Sequence, residues 1–152
     1  MSESLLKDRI AEDTKTAMRA RDSRRLGVLR LVNSEIKRVE VDERRAVSDV
    51  DIVVLLERML KQRADSYGQF LAAGRTDLSD QEAFEMELIR AYMPEALTEE
   101  ALTQAIAIAV ADSGATGVKD MGAVMALLKT RIAGRADMKI VSTQVRQALS
   151  TG

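Results

Sequence analysis

Apolar residues along the chain recur at spacings of three and four, the period of helices buried on one side. Leu6, Ile10, Ala17 and Met18 mark a first amphipathic helix that ends near Arg21-Asp22. Ser23 offers a cap for a second, whose Leu29, Val32, Ile36 and Val39 run as a heptad-like stripe; the two predict a helical hairpin. The longest helix is expected to start at Ser48 or Asp49. It places Ile52, Leu56, Met59, Leu60, Arg63, Tyr67, Phe70 and Leu71 on one face, until Gly74 supplies a left-handed stop. Ser79-Asp80-Gln81-Glu82 reads as a capping box ahead of Phe84, Leu88, Ile89 and Tyr92.

Pro94, the sole proline, and Thr98 followed by Glu99 and Glu100 mark a break between helices. The expected division is an N-terminal helical part over 1–94 and a helical tail over 95–152. In the tail, Leu102, Ile106, Ala109 and Val110 define a helix from Thr98 to Asp112 that stops at Gly114. Met121, Val124, Met125 and Leu128 define the next, terminated at Gly134, and Val145 and Leu149 a last short one. No segment alternates with period two over a useful length, so the expected fold class is all-α.

Composition narrows what such a fold can do. Of 152 residues, 46% are hydrophobic and 31% charged, with no His and no Cys. There is no thiol nucleophile, no disulfide framework and no imidazole to act as base or metal ligand. The expectation is a non-catalytic protein with no cofactor and no metal. Paired carboxylates such as Asp8/Glu12, Asp49/Asp51 and Asp77/Asp80 fall at helix starts or on polar faces, where the macrodipole accounts for them. No apolar run approaches the roughly 20 residues that span a bilayer, so no membrane partner is expected. Glu3, Lys7 and Asp8 bring charge too early for the apolar core of a secretory leader, and the expected compartment is the cytoplasm.

The formal charge of −1 is unevenly spread. Residues 1–45 hold 12 basic and 9 acidic residues, 46–94 hold 5 and 9, and 95–152 hold 6 and 6. Three constellations follow. Arg63, on an apolar stripe, needs a carboxylate, and Glu82 and Glu85 share a face of the neighbouring helix. With Arg75 these are expected to form a structural ion-pair network across the Gly74 turn. Arg19, Arg21, Arg24, Arg25 and Arg30 surround the first interhelical turn with Asp22 the one acid among them, and Lys37 and Arg38 extend the positive charge. That turn reads equally as a phosphate site or as a solvated hairpin end. In the tail, Lys119, Lys129, Arg131, Arg135 and Lys139 outnumber Asp120 and Asp137, with Gly122 near a helix start and Gly134 at a helix end. Glycine-framed basic loops suit a phosphodiester backbone, although spacing alone favours a packed helix with cations gathered by its macrodipole. The absence of aromatic residues there argues against base stacking.

These residues also carry a resemblance. Leu29-Arg30, Gln62-Arg63, Ser66, Phe70, Gly74-Arg75, Asp77-Leu78, Glu82, Glu85 and Tyr92-Met93-Pro94 match in the first part. Asp120-Met121-Gly122, Val124-Met125 and Gly134-Arg135-Ala136-Asp137 match in the second. Together they resemble the GatB/YqeY family, in its stand-alone YqeY-like form. The tail is similar to the C-terminal end of the B subunit of glutamine-dependent aminoacyl-tRNA amidotransferase. The resemblance implies an all-helical first part and a small helical tail. It also implies that the tail contacts tRNA by shape while the chemistry lies elsewhere. Carbon–nitrogen ligase activity with glutamine as amido donor attaches by family association only. The RNA-contacting residues so implied are Lys119, Gly122, Lys129, Arg131, Gly134, Arg135 and Lys139. The alternative is a protein-interaction adaptor for an amidotransferase or an aminoacyl-tRNA synthetase.

Overall fold

The computed structural model describes residues 4–151. Among them are seven α-helices, one 3₁₀ turn and no strand, so the class is all-α. The chain divides into two compact units, the first ending at Met93 and the second starting at Pro94.

The first unit holds α1 (Leu5–Arg19), α2 (Ser23–Glu43), α3 (Asp49–Ala72) and α4 (Thr76–Arg90). Ser4 caps α1 by accepting the Lys7 N–H at 3.0 Å, and its hydroxyl donates to Asp49 in the first turn of α3. Asp49 also accepts the Leu6 N–H at 3.1 Å, so one carboxylate pins the starts of two helices. At the α1–α2 turn the cap is Asp22 rather than Ser23, its carboxylate accepting the Arg25 N–H at 3.1 Å. Arg21 takes the left-handed conformation (φ 56°), which reverses the chain one residue early and leaves Ser23 already helical. Ser48 and Asp51 form a reciprocal capping box at α3, through bonds of 3.2 and 2.8 Å.

The box expected at Ser79 does not form. Gly74 (φ 72°) turns the chain sharply after α3, the Arg75 N–H bonds back to the Phe70 carbonyl at 2.9 Å, and helical geometry resumes at Thr76. Ser79 therefore lies inside α4, buried, with its hydroxyl donated to the Thr76 carbonyl at 3.2 Å.

Ile10, Leu29, Val32, Ile52, Leu56 and Ile89 are wholly buried in one core shared by all four helices. Each such side chain contributes about 2 kcal/mol. The fully buried positions of α3 lie between Ile52 and Met59; Tyr67 and Phe70 are half-buried and Leu71 is exposed, although they continue the stripe. The stripe there meets the first turns of α4, where the partly buried positions include Gln81, Glu82 and Glu85. Met18, paired with Ala17 in the sequence pattern, is likewise exposed.

The second unit holds α5 (Glu99–Ser113), the 3₁₀ turn (Val118–Asp120), α6 (Met121–Arg131) and α7 (Met138–Ser150). Thr98 caps α5 through the Ala101 N–H at 3.1 Å, and Gly114 (φ 70°) ends it. Leu102, Ile106, Val124, Leu128, Val141 and Val145 form a separate core. Helix α6 stops at Arg131, before the glycine expected to end it; Ile132 caps it, donating to the Leu128 carbonyl at 2.9 Å and continuing the buried stripe of Val124 and Leu128. Gly134 (φ 73°) instead redirects the chain toward Arg135.

Candidate nucleic-acid interface

The second unit sorts its basic residues by their partners. Arg131, in the last turn of α6, reaches Asp112 near the end of α5 at 2.9 Å. Arg135 is half-buried and donates from Nε to the Glu95 carbonyl at 2.8 Å; its own carbonyl accepts the Leu97 N–H at 2.8 Å. This two-way clasp holds the segment entering α5 against the turn leaving α6. Arg131 and Arg135 thus make contacts within the fold of the unit, and Gly134 supplies the left-handed turn between them.

The remaining predicted residues stay on the surface. Lys119 is exposed on the 3₁₀ turn. The neighbouring Asp120 carboxylate is held by the Thr116 N–H at 2.9 Å and the Thr116 hydroxyl at 3.2 Å, which keep its pKa below the usual carboxylate range. Gly122 is the second residue of α6 and exposed, and a Cβ built on it meets nothing within 4 Å. The fold itself therefore does not require glycine there. Lys129, exposed in the last turn of α6, sits where the macrodipole favours a cation. Lys139 does not: it lies in the first turn of α7, where the dipole opposes a positive charge. Lys129 and Lys139 form no ion pair among the described residues.

Arg146 was not singled out in the sequence. It follows Lys139 by seven residues on α7, and both are exposed. With Thr143 between them they occupy one helix face, a register legible once α7 is known to begin at Met138. A groove of about 600 Å³ runs between α5 and α7, lined by Thr103, Ile106, Ala107, Gln144, Gln147 and Ala148.

In the first unit Arg63 and Glu85 meet at 3.2 Å, each only about one-seventh exposed at 14% and 13%. The Arg63 Nε makes no directed hydrogen bond, so the contact is one of charge; an Arg63 Nη donates to the Met59 carbonyl at 3.3 Å. Glu82 keeps one carboxylate oxygen out of solvent with no hydrogen-bond partner. Its pKa is raised, first by burial and then by Glu85, against the pull of Arg63. Arg75 lies outside this network, on the exposed side of the Gly74 turn, pairing with Asp77 at 3.1 Å. Asp77, in the first turn of α4 and two residues away in sequence, captures it before Glu82 or Glu85 can. Among the described residues no three carboxylates gather where they could hold a metal ion.

Comparison with known proteins decides the family: the model for the Yqey-like protein matches residues 7–149. The chain belongs to the YqeY-like family. It is 34% identical over 100 residues to "Altered inheritance of mitochondria protein 41, mitochondrial" of Eremothecium gossypii, covering 63% of this chain and 55% of that protein. The protein of that name from Pyrenophora tritici-repentis is 25% identical over 150 residues, covering 97% and 82%. That from Kluyveromyces lactis is 35% identical over 97 residues, covering 60% and 51%. This YqeY-like chain matches only about half the length of the Eremothecium and Kluyveromyces relatives. Their names correct the expected compartment, pointing to mitochondria rather than the cytoplasm. The charge at Lys7 and Asp8 carries no information on that choice.

Proposed function

We propose that this YqeY-like protein is a non-catalytic module that binds structured RNA of the tRNA class by backbone and shape, through Lys119, Lys129, Lys139 and Arg146. The observation that carries the reading is Lys139. It is exposed, unpaired among the described residues and set against the dipole of its own helix, so local structure gives it no reason to be there. Lys119 lies on the turn packed against the same helix, and Gly122 leaves bare backbone open to a close approach. The resemblance of the tail to the amidotransferase B subunit supports the same reading. By the names of its relatives, the compartment proposed for this binding is the mitochondrion.

Titration of the full chain with total tRNA over a range of salt tests it. Four phosphate contacts predict a log–log salt slope of about −3. Replacing Lys119, Lys129 and Lys139 by Glu should remove most of the binding, whereas Arg131→Gln should not. Binding unchanged in the triple variant overturns the reading.

The groove between α5 and α7 favours a second reading, an adaptor for an amidotransferase or an aminoacyl-tRNA synthetase, since Ala107 and Ala148 leave room for an inserted side chain. Any carbon–nitrogen ligase activity would then belong to the partner. A partner retained in pull-down after nuclease treatment supports this reading over the first.

A further inference from the structure

The first unit carries a second concentration of positive charge, at the corner where α1 turns into α2. Arg19 ends α1, Arg21 forms the turn, Arg24 and Arg25 open α2, and Arg30 follows about 9 Å further along that helix. All five are exposed, and none forms an ion pair among the described residues. Elsewhere in the same unit, Lys7, Lys15, Arg38, Arg45, Arg58 and Arg75 each sit against a carboxylate. The acid at the corner, Asp22, is occupied by the Arg25 N–H. Asp13, the nearby carboxylate on α1, accepts the Tyr92 hydroxyl.

Two features go beyond charge. Arg24 is held in place: its guanidinium carbon lies 4.0 Å from the centre of the Phe84 ring, and its Nε donates to Gln81 at 3.2 Å. That leaves its two terminal nitrogens without a partner in the described residues, a fork fixed in orientation before any ligand arrives. Arg21 occupies a left-handed conformation (φ 56°) that glycine would adopt without strain. The turn therefore holds an arginine where glycine would fit without strain.

We propose that this corner is a phosphate-backbone site for RNA, distinct from the surface of the second unit. The cations are spread along a convex corner rather than converging on one point, which suits a repeating polyanion and not a single small anion. Arginine at all five positions suits forked phosphate contacts. Met18 and Leu31 are the exposed large apolar side chains nearby, and α2 turns its main apolar face inward, so little is left to enter a lipid surface.

The test uses the full chain and a short fluorescein-labelled RNA hairpin. Arg19→Glu with Arg30→Glu should weaken binding about tenfold at low salt and flatten the log–log salt slope by about 1.5. Arg21→Gly keeps the turn and relieves its strain, so it should raise thermal stability while weakening RNA binding about threefold. Unchanged affinity in both variants overturns the proposal, as does binding to phosphatidylserine–phosphatidylcholine vesicles without binding to the hairpin. The lysine triple variant of the second unit separates the two sites. Loss there alone leaves the function of the second unit standing and removes this one; loss at the corner alone does the reverse.

Discussion

The Tyr92 hydroxyl donates its hydrogen bond to the Asp13 carboxylate, joining the segment beyond α4 to the middle of α1 across 79 positions of sequence. The ring is buried, and the Arg9 guanidinium lies 4.7 Å from its centre while donating to the Ala91 carbonyl at 3.3 Å. One side chain thus joins apolar burial, a charge-assisted hydrogen bond and a cation–π contact. Removing only the hydroxyl, in Tyr92→Phe, leaves Asp13 with one bond fewer and should cost about 1 to 2 kcal/mol in urea unfolding at pH 7.

The same residue predicts an alkaline limit. Burial, then the bond to Asp13, pushes the Tyr92 pKa from 10.0 up to about 12. The folded state holds this proton more tightly than the unfolded state. The stabilisation is therefore complete below pH 10 and is lost as pH rises toward 12. Unfolding curves of wild type and Tyr92→Phe should converge over that interval. Parallel curves would remove Tyr92 as the cause.

Glu82 is a cost to the fold at neutral pH. Its raised pKa means that the folded state prefers the protonated carboxyl, so its contribution becomes less favourable as pH rises through the carboxylate range. Glu82→Gln should stabilise the first unit by about 1 kcal/mol at pH 7, with the gain shrinking on acidification. Arg63→Met should have the opposite sign, about 2 to 3 kcal/mol of destabilisation, because it leaves Glu82 and Glu85 without their cation. Chemical denaturation of both variants checks the pair; a destabilised Glu82→Gln would show that the carboxylate has a partner it needs.

Asp51 sets an acid limit. Arg45 at 2.6 Å and the Ser48 N–H at 2.8 Å lower its pKa from 3.8 to about 2. The stabilisation is present above pH 3.8 and disappears as pH falls through about 2. Ser48→Ala removes the other half of the capping box and should cost about 1 kcal/mol. Asp51→Asn should flatten the acid end of the pH–stability curve, which circular dichroism melts can follow.

Arg135 is predicted to matter for folding and little for ligand. Arg135→Ala should destabilise the second unit by about 1 kcal/mol by freeing the Glu95 carbonyl, while RNA affinity changes less than in Lys139→Ala. Differential scanning calorimetry beside the tRNA titration reads both effects. A greater loss of affinity in Arg135→Ala than in Lys139→Ala would reverse these assignments.

Much of the architecture was legible in the sequence because its signals are local. Thr98 with two glutamates, Ser48 with Asp51, and the left-handed stops at Gly74 and Gly114 act within one turn of chain. Period-three-and-four spacing needs no partner to be read. The misread starts have separate causes: the left-handed Arg21 hands the cap of α2 to Asp22 instead of Ser23, and α4 resumes at Thr76 directly after the Gly74 turn, which leaves Ser79 inside the helix. Arg21 in particular carries no compositional sign of positive φ.

Which charges are free was beyond the sequence. The tail motif holds five cations of one apparent kind, yet folding gives Arg131 to Asp112 and Arg135 to the Glu95 carbonyl, 40 positions away, and leaves Lys129 and Lys139 without an ion pair among the described residues. At the other end of the chain it assigns carboxylates to Lys7 and Arg45 and, among the described residues, none to the arginines of the α1–α2 corner. Helix periodicity and caps depend on residues within a turn of one another, so the sequence determined the all-α class and most helix ends. The availability of a charged side chain depends on acceptors brought near from distant positions, and only the tertiary structure decided it.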